Sequence, residues 1–407
     1  MRFVVLIISF VVIGGLLEWY TYAALAKRWE KWSSWLKTTT KITYFILLGF
    51  FGVSILMLFV FESFFSRAAL NFWFTFLMCN LFTKLTFAFF LALDDLRRIG
   101  LLTRSKLMKT KDDERISRSD FLVKTGMAAA TIPLMGLSWG MIAGPYRYKI
   151  FHEKVNLPNL PPAFNGLKVV QISDIHSGSF YNTSAVERGI DMLLALKPDL
   201  ILFTGDIVND RAEEMEPYMD IFSKIQAPLG VYSILGNHDY GDYVRWESKE
   251  AKEENNRKIR ELHQRLGWRL LLNEHVYIEK DGEKICLIGV ENWGKGFHQE
   301  GDLHKAYLGC DAPVKMLLSH DPTHFDEVVT KEFKDIDITF SGHTHGAQIG
   351  IETGGFKWSP ISLRYEKWAG LYNENGQYLY VNRGFGFIGY AGRLGIMPEI
   401  TLMELHS

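Results

Sequence analysis

This sequence lacks a dominant charge. It has 45 lysines and arginines against 46 aspartates and glutamates, a formal net charge of -1, so no global basic field points to nucleic acid as a partner. Cysteine is scarce. Cys79, Cys286 and Cys310 show neither CxxC spacing nor an even framework, which argues against structural zinc and against a disulfide scaffold. There is no internal repeat and no low-complexity tract, so a solenoid or a fibrous chain is excluded. The 407 residues suffice for one large domain or two ordinary ones.

Hydrophobicity is present but unevenly spread. Residues 3–17, 43–61 and 68–93 are apolar runs with almost no charge. The second and third reach the roughly 20 residues needed to span hydrocarbon. The first does so with Glu18 to Tyr22 at the interface, where Trp and Tyr are favoured. All three are apolar on every face, unlike an amphipathic core helix. A fourth segment, Thr125 to Gly144, is less hydrophobic but nearly uncharged. The stretch before it, RISRSDFLVK, resembles a twin-arginine export signal through Ser117, Arg118, Phe121, Leu122 and Lys124. Ser119 stands in place of the second arginine, a departure from the export pattern that still leaves the segment able to serve as a membrane anchor.

Basic residues cluster in the first loop (Lys27, Arg28, Lys31, Lys37, Lys41) and the third (Arg97, Arg98, Arg104, Lys106, Lys109, Lys111, Arg115, Arg118). The positive-inside rule makes those loops cytoplasmic. With four spans, both termini and the C-terminal region lie outside the cytoplasm; without the fourth span, that region inverts. The expected organisation is a multi-pass membrane region over 1–145, in a bacterial inner membrane, and a separate domain over 150–407.

That second region reads as α/β. LKVVQIS, DLILFTG, GVYSILG, EKICLIG, VKMLLSH and DIDITFSG are short apolar strands ending in polar clusters, the pattern of buried strands feeding loops at a site. Between them, Arg245 to Leu266 is heavily charged with Ile259, Leu262 and Leu266 at helical spacing, which predicts a surface helix.

Chemistry follows the strands. SDIHSG supplies Asp174 and His176, GDIVND supplies Asp206, and GNHDY supplies Asn237, His238 and Asp239. His320 follows KMLLS, and FSGHTHGAQIG supplies His343 and His345. Each motif alone suits an ordinary turn. Five of them, each at a strand end, bring carboxylate, carboxamide and imidazole groups to one edge of a sheet, where ligands bind.

In this order the motifs resemble the calcineurin-like metallophosphoesterases over roughly residues 165–407, with all five blocks present. The resemblance implies two packed β-sheets flanked by helices, with a dinuclear metal site at the strand ends. It implies one metal on Asp174, His176 and His345, the other on Asn237, His320 and His343, and Asp206 as the bridge. A carboxylate with two oxygens suits the bridging role, and mixed imidazole and oxygen donors favour Mn, Fe or Zn. The implied reaction is attack of a metal-bound hydroxide on a phosphodiester or pyrophosphate. His238 is the candidate proton donor to the leaving oxygen; Asp239 either orients it or makes a structural turn contact.

Other residues stay open. His298 and His304 lie in a Gly-rich loop with Trp293 and Phe297 suited to a substrate entrance, and most remaining histidines read as solvated. Arg383 and Arg393 either meet phosphate or are surface charge. The GHTHGAQI block and the late PEI segment resemble the membrane-linked branch associated with UDP-2,3-diacylglucosamine pyrophosphate hydrolysis in lipid A synthesis. That lipid lies on the cytoplasmic side, opposite to the deduced topology, so the expectation is a membrane-proximal phosphate ester and a bilayer as partner. The alternatives are a phosphomonoesterase or protein phosphatase on the same metals, and a membrane receptor that binds without turnover.

Overall fold

A computed structural model describes residues 2–30, 32–61, 64–107 and 118–407. Lys31, Lys109, Lys111, Arg115 and Ser117, used in the charge count and the export-signal resemblance, lie outside the described residues, as do the side chains of residues 3–10 and Lys106. The chain divides into two compact units, Met1–Trp139 and Gly140–Ser407.

The first unit is helical: α1 (Arg2–Trp29), α2 (Ser34–Phe59), α3 (Arg67–Leu107) and α4 (Asp120–Ala143), the last four residues of α4 counting with the second unit. Among the described residues, three helices are long and apolar enough to cross a membrane: Ser34–Phe59, Arg67–Ser105 and Asp120–Ala143. Helix α3 outruns its apolar stretch. Beyond Leu93 it continues through charged turns in which Arg97 pairs with Asp94 at 2.9 Å and Arg98 with Asp95 at 3.0 Å. Within the apolar part, Glu18 pairs with Lys84 and accepts a hydrogen bond from the Tyr44 hydroxyl at 2.7 Å. Charges in such helices persist when they are paired like this.

The second unit contains fourteen strands among its described elements: β1 (Lys149–Asn156), β2 (Leu167–Ile172), β3 (Leu200–Phe203), β4 (Val231–Ser233), β5 (Arg269–Leu270), β6 (Glu274–Lys280), β7 (Glu283–Gly289), β8 (Lys315–Leu318), β9 (Ile338–Ser341), β10 (Ile351–Thr353), β11 (Phe356–Trp358), β12 (Gly370–Glu374), β13 (Gln377–Val381) and β14 (Glu399–His406). Its helices include α5 (Thr183–Ala195), α6 (Met219–Phe222), α7 (Lys249–Arg265) and α8 (Leu303–Tyr307). One sheet runs β1-β14-β2-β3-β4-β5 and a second β12-β13-β9-β8-β7-β6, while β10 and β11 form a separate hairpin.

Side-chain alternation explains the layering. On β2 and β3, Val169, Leu200 and Leu202 enter a core shared with Ile285, Leu287, Met316 and Phe340 of the second sheet. Their neighbours Val170, Ile201 and Phe203 face the other way, onto Val186, Ile190 and Leu262 of α5 and α7. Both faces of each strand are therefore buried, which is why the strands read as continuous apolar runs. Full burial of each such side chain stabilises by roughly 1.5–3 kcal/mol. The predicted surface helix is α7, whose Ile259 and Leu262 are buried while its charges face outward.

One expectation is corrected here. Cys286 on β7 and Cys310 after α8 form a disulfide across a Cα separation of 6.4 Å. Their partnership is tertiary: both belong to the cluster on the outer face of the second sheet, which spacing cannot reveal. Of the seven remaining histidines, His263 and His324 are buried and the other five are not. His263 faces the first core from α7, its ring 6.0 Å from that of Phe203.

Strands β2, β3 and β4 are mutually parallel, as are β7, β8, β9 and β13. Their carboxyl ends share one rim. Cross-links join the sheets there; among them, Gln171 Nε2 donates to the Ser341 carbonyl at 2.9 Å, and His320 Nδ1 lies 2.7 Å from the Thr204 carbonyl.

Candidate metal centre

Every sequence-predicted ligand reaches this rim. Asp174 and His176 follow β2, Asp206 follows β3, Asn237 follows β4, His320 follows β8, and His343 and His345 follow β9. The turns that carry them are tight. Asp174, His176, Asp206, His343 and His345 all have positive φ, from 47° to 69°. This backbone costs about 1–3 kcal/mol per non-glycine residue and persists only where surrounding contacts impose it. Backbone bonds impose it here, Asp174 N donating to the Gly205 carbonyl at 2.9 Å and His176 N to the Asp206 carbonyl at 3.1 Å.

Two glycines supply clearance. A Cβ on Gly342 would lie 1.9 Å from Ser173 Oγ and 2.3 Å from Asp174 Oδ2. One on Gly236 would lie 2.2 Å from Asp206 Oδ1. Both strand ends therefore press directly onto ligand carboxylates from the opposite loop, which only glycine permits.

The donors form two adjoining groups, Asp174 with His176 and His345, and Asp206 with His320 and His343, each with its donor atoms within 4.8 Å of one another. In the first, His176 Nε2 and His345 Nε2 are 3.0 Å apart, and His345 Nε2 is 3.1 Å from Asp174 Oδ1. In the second, His343 Nδ1 is 2.8 Å from Asn237 Oδ1 and 3.3 Å from His320 Nε2. Asp206 lies between the groups, its Oδ2 3.5 Å from His176 Nε2 and 3.2 Å from His320 Nε2. Imidazole nitrogens and carboxylate oxygens that converge in a buried cluster suit divalent metal.

The buried carboxylates and imidazoles shift one another. Burial alone would raise the Asp174 and Asp206 carboxyls, yet the surrounding imidazoles hold both below the usual carboxylate range. Burial lowers His320, but the charge of Asp206 outweighs it and holds the imidazole up at about 10. His343 shows the opposite balance, pushed down to about 4 chiefly by burial.

Around this centre the predicted partners part company. His238 N donates to Asp206 Oδ1 at 2.9 Å, and its Nδ1 lies 2.8 Å from the Asn209 carbonyl. The Asp239 carboxylate accepts from the amides of Asp206, Ile207 and Gly236, each at 2.9 Å, and so staples two ligand loops together. Arg393 and Arg383 are neither surface charge nor free for phosphate. Arg393 is buried, its Nε donating to the Gly386 carbonyl at 2.9 Å and its Nη2 to the Gly384 carbonyl at 3.1 Å. Arg383 is neutralised by Glu399 at 2.6 Å and Glu352 at 2.5 Å.

Of the Gly-rich loop, Phe297 reaches the centre, its ring 4.6 Å from that of His343, whereas His304 pairs with Glu332 at 3.1 Å on α8. His298 pairs with Glu300 at 2.9 Å, and Trp293 stacks on His324. Sequence reasoning missed Tyr243, Tyr365 and Arg364. Tyr243 receives a hydrogen bond from Asn237 Nδ2 at 2.8 Å and packs on His238, with ring centroids 4.4 Å apart. The Tyr365 hydroxyl is 2.9 Å from His343 Nε2, and the exposed Arg364 guanidinium lies 5.1 Å from the Phe297 ring. Tyr243 sits just past GNHDY and was within reach of motif reasoning; Tyr365 and Arg364 belong to no motif.

Residues 167–347 match the family model described as "Calcineurin-like phosphoesterase", and residues 1–145 match "Probable Calcineurin-like phosphoesterase, transmembrane domain". A "Transmembrane protein with metallophosphoesterase domain" of Danio rerio is 27% identical over 328 residues, 76% of this chain and 68% of that protein. "Phosphodiesterase YaeI" of Escherichia coli (strain K12) is 26% identical over 294 residues, 71% of this chain and 99% of the relative. "UDP-2,3-diacylglucosamine pyrophosphatase LpxG" of Chlamydia trachomatis is 27% identical over 322 residues, 67% of this chain and 93% of the relative. With its metal-ligand clusters and apolar helices, the chain belongs to the calcineurin-like phosphoesterases as a membrane-associated metallophosphoesterase.

Proposed function

We propose that this enzyme hydrolyses a phosphodiester or pyrophosphate in a membrane-proximal substrate, using two divalent ions of Mn, Fe or Zn. The observation that carries the reading is Asp206, whose one carboxylate oxygen stands 3.5 Å from a donor of the first group and 3.2 Å from a donor of the second. Two such ions, when bound, supply an activated water and neutralise charge on the phosphoryl oxygens. The chain's own residues do the rest. Asp174, His176 and His345 would hold one ion, Asn237, His320 and His343 the other, with Asp206 available to both. His238 gives a proton to the leaving oxygen, its ring fixed by the Asn209 carbonyl. Tyr243, Phe297 and Arg364 border the entrance. The names of the YaeI and LpxG relatives favour diester and pyrophosphate substrates over monoesters.

The catalytic unit is read as facing away from the cytoplasm. The charge distribution of the loops supports this, and so does the Cys286–Cys310 disulfide, a bond that persists in oxidising compartments. The test is turnover of bis(p-nitrophenyl) phosphate by the full chain loaded with Mn²⁺, Fe²⁺ or Zn²⁺. Turnover that vanishes in Asp206→Ala is expected; no turnover with any of these metals sinks the enzyme reading. A reporter fused to the C-terminus reads the side of the membrane independently.

A further inference from the structure

The β10–β11 hairpin is built inside out. Its register pairs Ile351 with Trp358, Glu352 with Lys357, and Thr353 with Phe356, around a turn at Gly354 and Gly355. Alternation then puts Glu352 and Lys357 on one face and Ile351, Thr353, Phe356 and Trp358 on the other. The polar face is the one that packs on the protein. Glu352 accepts from Arg383 at 2.5 Å, and Lys357 Nζ donates to the Ala369 carbonyl and to the Tyr372 hydroxyl. The apolar face is left to solvent, with Ile351 53%, Phe356 59% and Trp358 45% exposed, and Leu363 beyond the hairpin 87% exposed. A contiguous apolar surface of this kind marks an interaction site.

Its place in the catalytic unit identifies the occupant. The end of α4 enters this unit at Gly140, whose carbonyl accepts from Arg393 N at 3.1 Å. The next residue, Leu394, bridges Ile349 and accepts from Gly350 N at 2.9 Å, one residue before β10 begins. The cleft beside the hairpin is lined by Lys149 and Phe151 of β1, the first strand after α4. Only residues 144–148 separate that strand from a helix long and apolar enough to cross a membrane, a tether of roughly 20 Å at full extension. Exposed tryptophan and phenylalanine, here Trp358 and Phe356, suit a lipid headgroup region.

We infer that the outer face of the β10–β11 hairpin inserts into the headgroup region of the bilayer that holds the chain's own helices. The hairpin leads through Ser359, which donates to the Gly346 carbonyl at 2.7 Å, to Tyr365 at the metal centre, so insertion seats the centre at the lipid surface. The docking does not depend on which phosphate ester is cleaved.

The test uses the full chain in vesicles of phosphatidylethanolamine and phosphatidylglycerol. On a Cys79→Ser background, an environment-sensitive fluorophore is placed at Phe356→Cys or, as control, at Asn159→Cys, an exposed position beyond the far end of β1. Quenching by a lipid carrying a shallow nitroxide is expected to be several-fold stronger at 356 than at 159. It should fall to the control level when Ile351→Ser and Trp358→Ser are added, while turnover of soluble bis(p-nitrophenyl) phosphate stays unchanged and reports an intact fold. Equal quenching at the two positions overturns the inference. So does a 356–356 disulfide between chains carrying unlabelled Phe356→Cys, together with no quenching of the labelled chain, which would make a second copy of the chain the occupant.

Discussion

The Nδ1 atom of His238 lies 2.8 Å from the carbonyl oxygen of Asn209. A carbonyl only accepts, so Nδ1 carries a proton and Nε2 is the ring atom available to substrate. His238 is close to the metal centre, its ring 4.9 Å from that of His176, yet it takes part in neither donor cluster. His238→Ala is therefore expected to keep the full metal content while kcat falls by about 10²–10⁴. Elemental analysis beside steady-state kinetics checks this, and loss of metal would show His238 to be a ligand.

Asp206→Ala is expected to remove more than one ion. Its carboxylate serves both donor groups, and without it the facing imidazoles lose their only shared anion among the two clusters. Metal-to-protein ratio measured after exhaustive dialysis should fall toward zero. A ratio that drops by half would place Asp206 on one ion alone.

Asp239→Asn separates a staple from an orienting residue. The carboxylate accepts four amide hydrogen bonds, from Asp206, Ile207 and Gly236 and a longer one from Val208, and an amide side chain cannot accept all of them. Each buried N–H left unpaired costs about 1–3 kcal/mol, so the variant should unfold at lower denaturant concentration. A loss of kcat with unchanged stability would return Asp239 to the role of orienting His238.

Arg364→Ala tests the entrance. The guanidinium stacks against Phe297 and Tyr365, both of which touch His343. If this guanidinium meets a second phosphoryl group of the proposed substrate, KM for a nucleoside diphosphate sugar should rise about tenfold, worth about 1.4 kcal/mol. Bis(p-nitrophenyl) phosphate, with a single phosphoryl group, should be nearly unaffected. Equal effects on both substrates would deny Arg364 a part in selectivity.

His263 gives the fold an acid-sensitive point away from the centre. Both ring nitrogens are buried without a partner, and burial pushes its pKa down to about 3. The unfolded chain, titrating near 6.5, then binds the proton that the folded chain refuses. Stability from this residue is present above pH 6.5 and is lost as pH falls toward 3, amounting to about 2 kcal/mol by pH 5. His263→Phe should remove that part of the pH dependence and raise Tm, as thermal melts from pH 5 to 8 would show.

The apolar runs, the six apolar strands and the five polar motifs were legible because each is local. Burial on both faces writes itself into a strand as an unbroken apolar run, and a ligand at a strand end follows that run directly. The same logic hid β1, β5, β6 and β10 to β14. Most of these strands are short, half-exposed or polar, and tertiary pairing rather than propensity makes them strands, whereas β13 and β14 are buried between neighbours and were missed although they are largely apolar.

The order of motifs in the sequence by itself determined which side chains would meet, because parallel strands deliver their following loops to one rim. Only the tertiary structure decided how they are held. Asp239 proved to bind amides of a loop more than thirty residues away, Arg383 found Glu352 and Glu399, and Cys286 found Cys310. Such partners are fixed by packing across sheets and loops, where distance in space is unrelated to distance along the chain. The outward apolar face of the hairpin is of the same kind: alternation is written in the sequence, but which face turns to solvent is settled by what Glu352 and Lys357 bind.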